Sequence, residues 1–487
     1  MTRHDAILPA WPGENTPALQ PELFRQPRIL LPEWTLLRQG AVRGHAVVVE
    51  DGRFTAVGSA DEVKARFPGL ETLPLPRMLL MPGMIDTHHH LTQSFGKSLV
   101  FGEPSEIFRR VWVPLEGSLT AEYLYLSSKL AALEALRGGF TTVVDAGTRS
   151  DAGLDAIARA VTDAGVRCVL GLICNDKPGA ETLDAAPILR RAAAHLDKYA
   201  GDPLVAPSLA ISIPEVASDA MLHHVYQLCA ESGRIFQTHA NEHLVAVERS
   251  LNACGRRPIE HLAAVGALGP AALLAHATLV TPHEIRLLAD TGAAVAYNPV
   301  ASAWKGNAVA PAETMATFGV RLGLGTDGTR SDAFRLLDYA ESAQRFAFGI
   351  GVGDSSCGAG WRWVDMATHD AADVAGLGAL TGEIAAGKRA DFLLVDLDVP
   401  ELAPSWDLTW ELVRLANRDQ IRAVFVDGSL RLWQGWPTDW DARALMQAIH
   451  AMAADTVANA PIRKLHEAAD AHRARHAGAT TATGEAA

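Results

Sequence analysis

Four short polar segments follow apolar, strand-like runs and carry most of the side chains that could perform chemistry. They are Asp86-Thr87-His88-His89-His90, Gln237-Thr238-His239-Ala240-Asn241-Glu242, Ala275-His276 and Gly325-Thr326-Asp327-Gly328. Imidazole and carboxylate groups are the usual protein ligands of zinc and ferrous iron. The carboxyl ends of parallel strands meet at one edge of a sheet, so these segments predict a single metal-dependent site.

The first segment has the spacing of a metal-binding strand end. Residues i and i+2 of a strand point to the same face, so His88 and His90 can bind one ion while His89 points away and packs. His239 and Asp327 complete a set of three imidazoles and one carboxylate. This set predicts one divalent ion, with zinc expected and iron as the alternative, and a position left for water.

Three further groups are expected to move protons around that ion. A bound metal would lower the pKa of its water and so supply hydroxide. Glu242 follows His239 by three residues and is expected to carry a proton to the leaving group. His276 is expected to orient the hydroxide or stabilise an oxyanion, and Asp327 to take up the proton of the water.

Three residues are predicted to bind substrate. Gln93 follows the first ligands by three residues, and its carboxamide offers both a donor and an acceptor to a heterocycle edge. Trp304 and Lys305 lie in the segment after the seventh apolar run, where they could stack on a planar ring or contact an anionic group.

The strands and helices that must position these residues alternate regularly along the sequence. Amphipathic helical stretches such as AEYLYLSSKLAALEALRGG separate eight apolar runs, which are MPGMIDTHHH, TTVVDAG, RCVLGLICND, LVAPSLAISI, RIFQTHANE, ALLAHATLV, AAVAYNPVA and RLGLGTDG. Such alternation predicts an α/β fold, a (β/α)8 TIM-type barrel.

Strand signals on both sides of the barrel predict a small, discontinuous β-sandwich domain. HAVVVEDGRFTAVG is typical of a hairpin. The predicted organisation is, in chain order, an N-terminal arm (1–26), the first stretch of the β-sandwich (27–80), the barrel (81–380), the second stretch of the β-sandwich (381–440), and a C-terminal helix with a flexible tail (441–487).

The composition of the chain limits the kinds of molecule that it is expected to bind. The chain has 487 residues, with 43 Lys and Arg against 56 Asp and Glu, a formal net charge of −13. This acidity disfavours nucleic acid and anionic membrane as main partners and favours a small-molecule substrate. Five cysteines without CxxC spacing, and no apolar signal-peptide core in MTRHDAILPAWPGENTP, predict a cytoplasmic protein with free thiols.

The motifs PGMIDTHHH, QTHANE, LLAHATLV, GLGTDG and EIAAGKRADFLLVDLD together resemble the amidohydrolase superfamily over roughly residues 45–430. More narrowly, they are similar to its aminohydrolase and chlorohydrolase branch, which includes S-adenosylhomocysteine, guanine, 8-oxoguanine and triazine deaminases. The resemblance implies hydrolysis of C–N or C–Cl bonds on nitrogen heterocycles, with the ligand and acid/base residues named above. It also implies a homo-oligomer, a dimer or larger.

One missing lysine and several residues that differ from the family pattern make the resemblance more specific. Binuclear relatives bridge two metals through a lysine ending strand 4, and LVAPSLAISIPEVAS contains none. A mononuclear hydrolase that deaminates a purine, pterin, pyrimidine or triazine is therefore predicted. Gln237, Ser302 and Trp304 depart from the branch pattern and leave the substrate open. The alternatives are hydrolysis of a cyclic amide or of a chloro- or alkylamino-substituted ring, or a non-catalytic metal-dependent binding protein.

Overall fold

The eight apolar runs form one parallel sheet. The computed structural model describes residues 19–103, 107–179, 181–350, 353, 360–466, 470–471 and 473–475. The strands of this sheet pair in sequence order, each with the next. They are β6 (Met84–His89), β7 (Phe140–Asp145), β8 (Arg167–Ile173), β9 (Val205–Ala210), β10 (Phe236–Ala240), β11 (Ala272–His276), β12 (Ala294–Tyr297) and β13 (Arg321–Leu324). The predicted (β/α)8 barrel is confirmed.

Hydrogen bonds from the ends of the edge strands bring β13 and β6 together. The backbone N–H of Asp327 donates to the carbonyl of His88 over 2.8 Å, and that of Thr326 donates to the same carbonyl over 3.2 Å. The barrel is therefore nearly closed, and its closure lies at the end that carries the polar segments.

Helices alternate with the barrel strands because their apolar residues recur with helical spacing. Thr120 caps α3 through the N–H of Tyr123, and Gly165 ends α4 in the left-handed region at φ 80°. The helices are α1 (Ala60–Arg66), α2 (Val113–Gly117), α3 (Ala121–Arg137), α4 (Asp155–Ala164), α5 (Ala185–Lys198), α6 (Asp219–Ser232), α7 (Leu244–Cys254), α8 (Pro258–Ala264), α9 (Pro282–Thr291), α10 (Pro299–Lys305), α11 (Ala312–Thr317), α12 (Ala333–Gln344), α13 (Gly360–Ala367), α14 (His369–Val374), α15 (Leu408–Arg414) and α16 (Ala442–Asn459).

A second, mixed sheet of nine strands forms the small β-domain. Its strands are β1 (Ile29–Leu37), β2 (Gly40–Arg43), β3 (His45–Glu50), β4 (Arg53–Ser59), β5 (Thr72–Pro82), β14 (Phe392–Asp396), β15 (Ile421–Val426), β16 (Ser429–Trp433) and β17 (Trp436–Pro437). Strands from the two ends of the chain join where β5 pairs with β14. The predicted discontinuous domain is therefore present, and β3 and β4 form the predicted hairpin.

The sheet curls over its own apolar core. The ring of Phe54 on β4 lies 5.8 Å from that of Phe392 on β14, although three other strands separate β4 from β14 in the sheet. Phe392 also stacks on Phe425 at 4.2 Å, and Phe24 from the segment before β1 contacts the same ring. These contacts give the domain its sandwich-like core.

Some predictions concern residues beyond the described ranges. Residues 1–18 of the predicted arm and most of the tail after 466 lie outside the described residues, so the domain boundaries stay predictions.

Four of the five cysteines are described and are free thiols, and Cys168, Cys174 and Cys229 are buried. Across the described residues, none of the helices has both the length and the apolar character needed to span a lipid bilayer.

Candidate active site

The four predicted metal ligands converge at the carboxyl end of the barrel. Nε2 of His88 and of His90 lie 3.3 and 3.2 Å from Oδ1 of Asp327, and Nε2 of His90 lies 3.3 Å from Nε2 of His239. A tetrahedral zinc site with bonds of about 2.05 Å has ligand atoms about 3.3 Å apart. The donor set therefore fits one divalent ion at its centre.

The protonation of the imidazoles also suits a metal. Burial holds the pKa of His90 below its ordinary value and that of His239 well below it, so both rings are neutral at pH 7. Nδ1 of His239 donates to the carbonyl of Ser212 over 2.7 Å, which leaves Nε2 as the lone-pair nitrogen facing the other ligands. Nε2 of His88 is buried without a hydrogen bond. Lone pairs converging in this way repel one another unless a cation lies among them.

His89 takes no part in this donor set. Its Nδ1 lies 3.0 Å from Oδ2 of Asp86 and 2.9 Å from Oγ1 of Thr326, and its Nε2 contacts Ser94. The ring is fully buried. His89 thus packs behind the ligands, as the alternation of a strand requires.

The predicted acid/base groups lie directly beside the ligands and share Asp327 with them. Nε2 of His276 is 3.7 Å from Oε1 of Glu242 and 3.7 Å from Oδ2 of Asp327. Burial lowers the pKa of His276 to about 4, so this ring is neutral at pH 7. The amide of Asn298 donates to its Nδ1 over 3.3 Å, which places the ring proton on Nε2, facing the two carboxylates.

The backbone at these positions is held in an uncommon conformation. His276 has φ 77° and Asp327 has φ 56°, both in the left-handed region that side chains other than glycine seldom adopt. Gly325 allows the close approach of the eighth strand, because a Cβ there would lie 2.3 Å from Oδ1 of Asn298 and 3.0 Å from Cβ of His88. Such strain is typical of functional positions.

Lys305 lies deeper than the sequence suggested. Its ammonium donates to Oε1 of Glu242 over 3.0 Å and to Oδ2 of Asp327, and it is thus directed at the acid/base groups. Burial alone would raise the pKa of Glu242, but the positive charge of Lys305, together with smaller effects of the neighbouring imidazoles, outweighs burial and holds that pKa well below its usual range. The cation therefore helps to keep Glu242 ionised.

The other two predicted substrate-binding residues line the pocket that opens onto the ligands. Gln93 uses its amide to donate to Oε1 of Glu116 over 3.0 Å, and Arg149 donates to Oε2 of the same carboxylate over 2.7 Å. Trp304 is 37% exposed and meets Phe101 edge-on, with ring centroids 5.1 Å apart. Trp304 is thus available to a planar ligand, whereas the amide of Gln93 already has a partner.

Sequence reasoning missed one group in this pocket. Glu215 lines it and is three residues beyond Ser212, whose carbonyl holds His239. In the sequence, the fourth apolar run drew notice only for its missing lysine. Polar residues that follow barrel strands reach the site. The same rule, applied to the fourth apolar run, identifies Glu215.

The geometry of the site agrees with a comparison of the sequence against family profiles. The profile described as "Amidohydrolase family" matches residues 79–431, which is more than half of the chain. This chain belongs to the amidohydrolase family. The resemblance inferred from the motifs is confirmed, and a profile of an imidazolonepropionase-like composite domain of bacteria also matches residues 46–69.

Three known proteins are similar to this amidohydrolase over most of their length. A 5-methylthioadenosine/S-adenosylhomocysteine deaminase of Syntrophobacter fumaroxidans is 28% identical over 79% of this chain and 87% of its own. A 5'-deoxyadenosine deaminase of Methanosarcina mazei is 29% identical over 80% and 88%. The crystal structure of an adenosine deaminase from Xanthomonas campestris with bound zinc aligns with a TM-score of 0.80 and 25% identity, covering 88% of this chain and 98% of that one.

Proposed function

We propose that this amidohydrolase is a mononuclear, zinc-dependent deaminase of adenine-type nucleosides. One observation carries the proposal: Glu242, His276 and Asp327 converge beside the donor set of three imidazoles and one carboxylate and share Asp327 with it. The names of the relatives support the substrate class, since each specifies a derivative of adenosine. The zinc in the similar adenosine deaminase supports the metal.

The proposed reaction exchanges one bond at a ring carbon. Water oxygen forms a bond to C6 of the purine, and the bond from C6 to the amino nitrogen breaks to release ammonia. His88, His90, His239 and Asp327 would hold the ion, whose chemistry is to activate water and polarise the reacting centre.

The residues of the chain would move the protons. Glu242 is held ionised, so it can accept one proton from the attacking water and deliver it to the ring nitrogen, where it stays in the product. The second proton of that water can then pass through Glu242 to the departing amine, which leaves as ammonia. The Nε2–H of His276 is placed to donate a hydrogen bond to the oxygen that adds to the ring. These steps balance as amine plus water giving oxo-purine plus ammonia.

The test combines an ammonia assay with a metal assay. Zinc-loaded protein is expected to release ammonia from adenosine, 5'-deoxyadenosine or 5'-methylthioadenosine, without chloride or new carboxylate from triazine and cyclic amide controls. Glu242→Gln should keep its zinc and lose at least about 100-fold in kcat. The exposed Glu248 on α7 gives a matched control in Glu248→Gln. Full activity of Glu242→Gln at normal zinc content contradicts the proposal.

The oligomeric state and the cellular location do not follow from the proposed reaction. A homo-oligomer, dimer or larger, and a cytoplasmic location stay predictions from the sequence. Sedimentation of the purified protein would measure the first directly.

A further inference from the structure

Exposed apolar side chains gather in one region of the molecular surface, away from the metal donors. They come from the turn Arg345–Gly349 after α12, from the start of α13 and from positions just outside the two ends of α15. We call this region the aromatic surface. Its residues are between 41% and 88% exposed and are Phe346, Phe348, Ile350, Trp361, Trp406 and Leu415.

The residues of the aromatic surface are neighbours in space. Trp406 and Leu415 line a shallow groove together with Arg345 and Trp410. Trp410 also lines a second groove, which it shares with Trp361. The turn that begins at Arg345 carries or directly precedes the remaining residues. The surface is therefore continuous from α12 across α13 to α15.

The aromatic surface is large enough for a stable contact between proteins. Six side chains of this size and exposure present roughly 700 Å² of mostly apolar area to solvent. The largest apolar patch of a typical monomer covers about 300–600 Å². A standard interface buries about 800 Å² on each partner. The surface thus has the size of one half of a protein interface.

The charges around the aromatic surface are balanced within the chain. Arg345 and Arg414 both bind the buried carboxylate of Glu341, and Nη1 of Arg362 lies 3.7 Å from Oε2 of Glu313. Burial of the surface would therefore leave these arginines with their carboxylates. A strongly acidic partner would have to compete with those carboxylates, whereas a second copy of the chain brings equally balanced charges.

One side chain projects from the aromatic surface, and a groove lies beside it. Trp406 is the most exposed of the six residues. The groove lined by Trp361, Val364 and Trp410 has a volume of about 480 Å³, within the range of pockets that hold small ligands, and so can take an indole ring. Trp406 and Trp410 are four residues apart, so each copy carries the projection next to the groove. A two-fold axis would form that contact twice, which favours a second copy as the occupant.

We propose that the aromatic surface joins two copies of this chain in a two-fold dimer, with Trp406 of each copy entering the groove beside Trp410 of the other. Tryptophan is among the residues that most often carry the binding energy of protein interfaces. The inference is independent of the proposed function, because other residues line the pocket at the metal donors. It assigns a surface to the homo-oligomer that the sequence resemblance implies.

Sedimentation equilibrium of the zinc-loaded, full-length chain measures the association. Wild-type protein should be a dimer at micromolar concentration and should dissociate on dilution. Trp406→Ala should weaken dimerisation about 30-fold or more, as expected for the loss of a central interface residue. Phe346→Glu should leave monomers, because the dimer would bury an unpaired charge in an apolar contact.

Matched controls separate loss of the contact from loss of the fold. Leu183→Glu changes an exposed residue between β8 and α5, outside the aromatic surface, and should leave the dimer intact. All variants should keep the zinc content and the far-UV circular dichroism of the wild type, because the changed side chains are exposed. The tryptophan emission of the wild type should shift to shorter wavelength as the dimer forms, and Trp406→Phe should reduce that shift.

Three results would overturn the inference. A wild-type protein that stays monomeric at high concentration would leave the aromatic surface to a different partner. A dimer of unchanged affinity in both Trp406→Ala and Phe346→Glu would place the interface elsewhere on the chain. Dissociation by Leu183→Glu to the same extent as by Phe346→Glu would show that the added charge acts without any contact at this surface.

Discussion

The carboxylate of Asp86, on the first barrel strand, accepts a hydrogen bond of 2.9 Å from the backbone N–H of Thr326, just past the eighth strand. The same carboxylate binds the ring of His89 and the N–H of His88. A single buried side chain therefore joins the two edges of the barrel at the point where they carry His88 and Asp327, and it fixes the distance between these two predicted ligands.

Removing this link should weaken both the fold and the metal site. Asp86→Ala is expected to lower the free energy of unfolding by about 3 kcal/mol, because it leaves buried donors without an acceptor. Zinc affinity should fall roughly 10-fold or more, as for other changes behind metal ligands. Urea unfolding and competitive zinc titration measure the two effects. The exposed Asp151 offers Asp151→Ala as the control, and unchanged zinc affinity in Asp86→Ala contradicts the prediction.

A buried ion pair fastens the barrel to the small β-domain. Nε and Nη2 of Arg167, at the start of β8, lie 3.0 Å from the two carboxylate oxygens of Asp391, just before β14. Arg167→Met leaves Asp391 charged and buried, so it should cost about 3 kcal/mol or more of stability. Urea unfolding measures the loss, and the exposed Arg190 gives the control Arg190→Met.

Changing Asp391, the partner of Arg167, distinguishes a charge effect from a packing effect. Arg167→Met combined with Asp391→Leu removes both charges and should recover part of the stability lost in the single variant. A double variant that is less stable than the sum of both single changes would show that packing, and not the unpaired charge, dominates at this contact.

Stability should also depend on pH through Glu103. Burial opposes ionisation of this carboxylate, but Arg110 and the N–H groups of Leu465 and His466 outweigh it and lower its pKa to about 2. The unfolded value is about 4.3. Ionised Glu103 thus contributes stability fully above about pH 5, and the contribution is lost as pH falls towards 2.

The variant Glu103→Gln isolates that contribution. The difference in unfolding free energy between wild type and Glu103→Gln should be constant from pH 7 to about pH 5.5 and should shrink at pH 4. Urea unfolding at three pH values measures it. A difference that grows on acidification would mean that the carboxylate is not stabilised by its partners in the folded state.

Trp304 is expected to contribute to binding and not to the chemical step. Trp304→Ala should reduce kcat/KM for an adenine nucleoside roughly 10-fold, mainly through KM, because an aromatic surface beside the ring is lost. Trp406, which is 88% exposed, gives the control Trp406→Ala. A fall in kcat at unchanged KM would instead place Trp304 in the organisation of the acid/base groups.

The strand-end residues could be predicted from the sequence because two geometric rules apply to them. Side chains alternate along a strand, and the carboxyl ends of parallel barrel strands share one rim. His88, His90, His239 and Asp327 are each within a few residues of such an end, and the structure brings their donor atoms together. The barrel followed from the alternation of apolar runs with helical stretches, and the family followed from the motifs.

Contacts made by long side chains from loops and helices could not be predicted in this way. Lys305 ends α10 and reaches Glu242, 63 positions earlier in the chain, and the sequence placed it over the mouth of the barrel. Arg167 meets Asp391 across 224 positions. No local periodicity encodes such pairs, because they depend on how separate elements pack.

Sequence pattern was therefore enough to predict the barrel and the convergence of the predicted metal donors and acid/base groups, because these residues lie at or just after the ends of periodic strands. Tertiary structure decided that Lys305 helps to keep Glu242 ionised and that Arg167 pairs with Asp391. Whether a charged group is paired depends on burial and on atoms far away in the chain, and only the folded packing sets those distances.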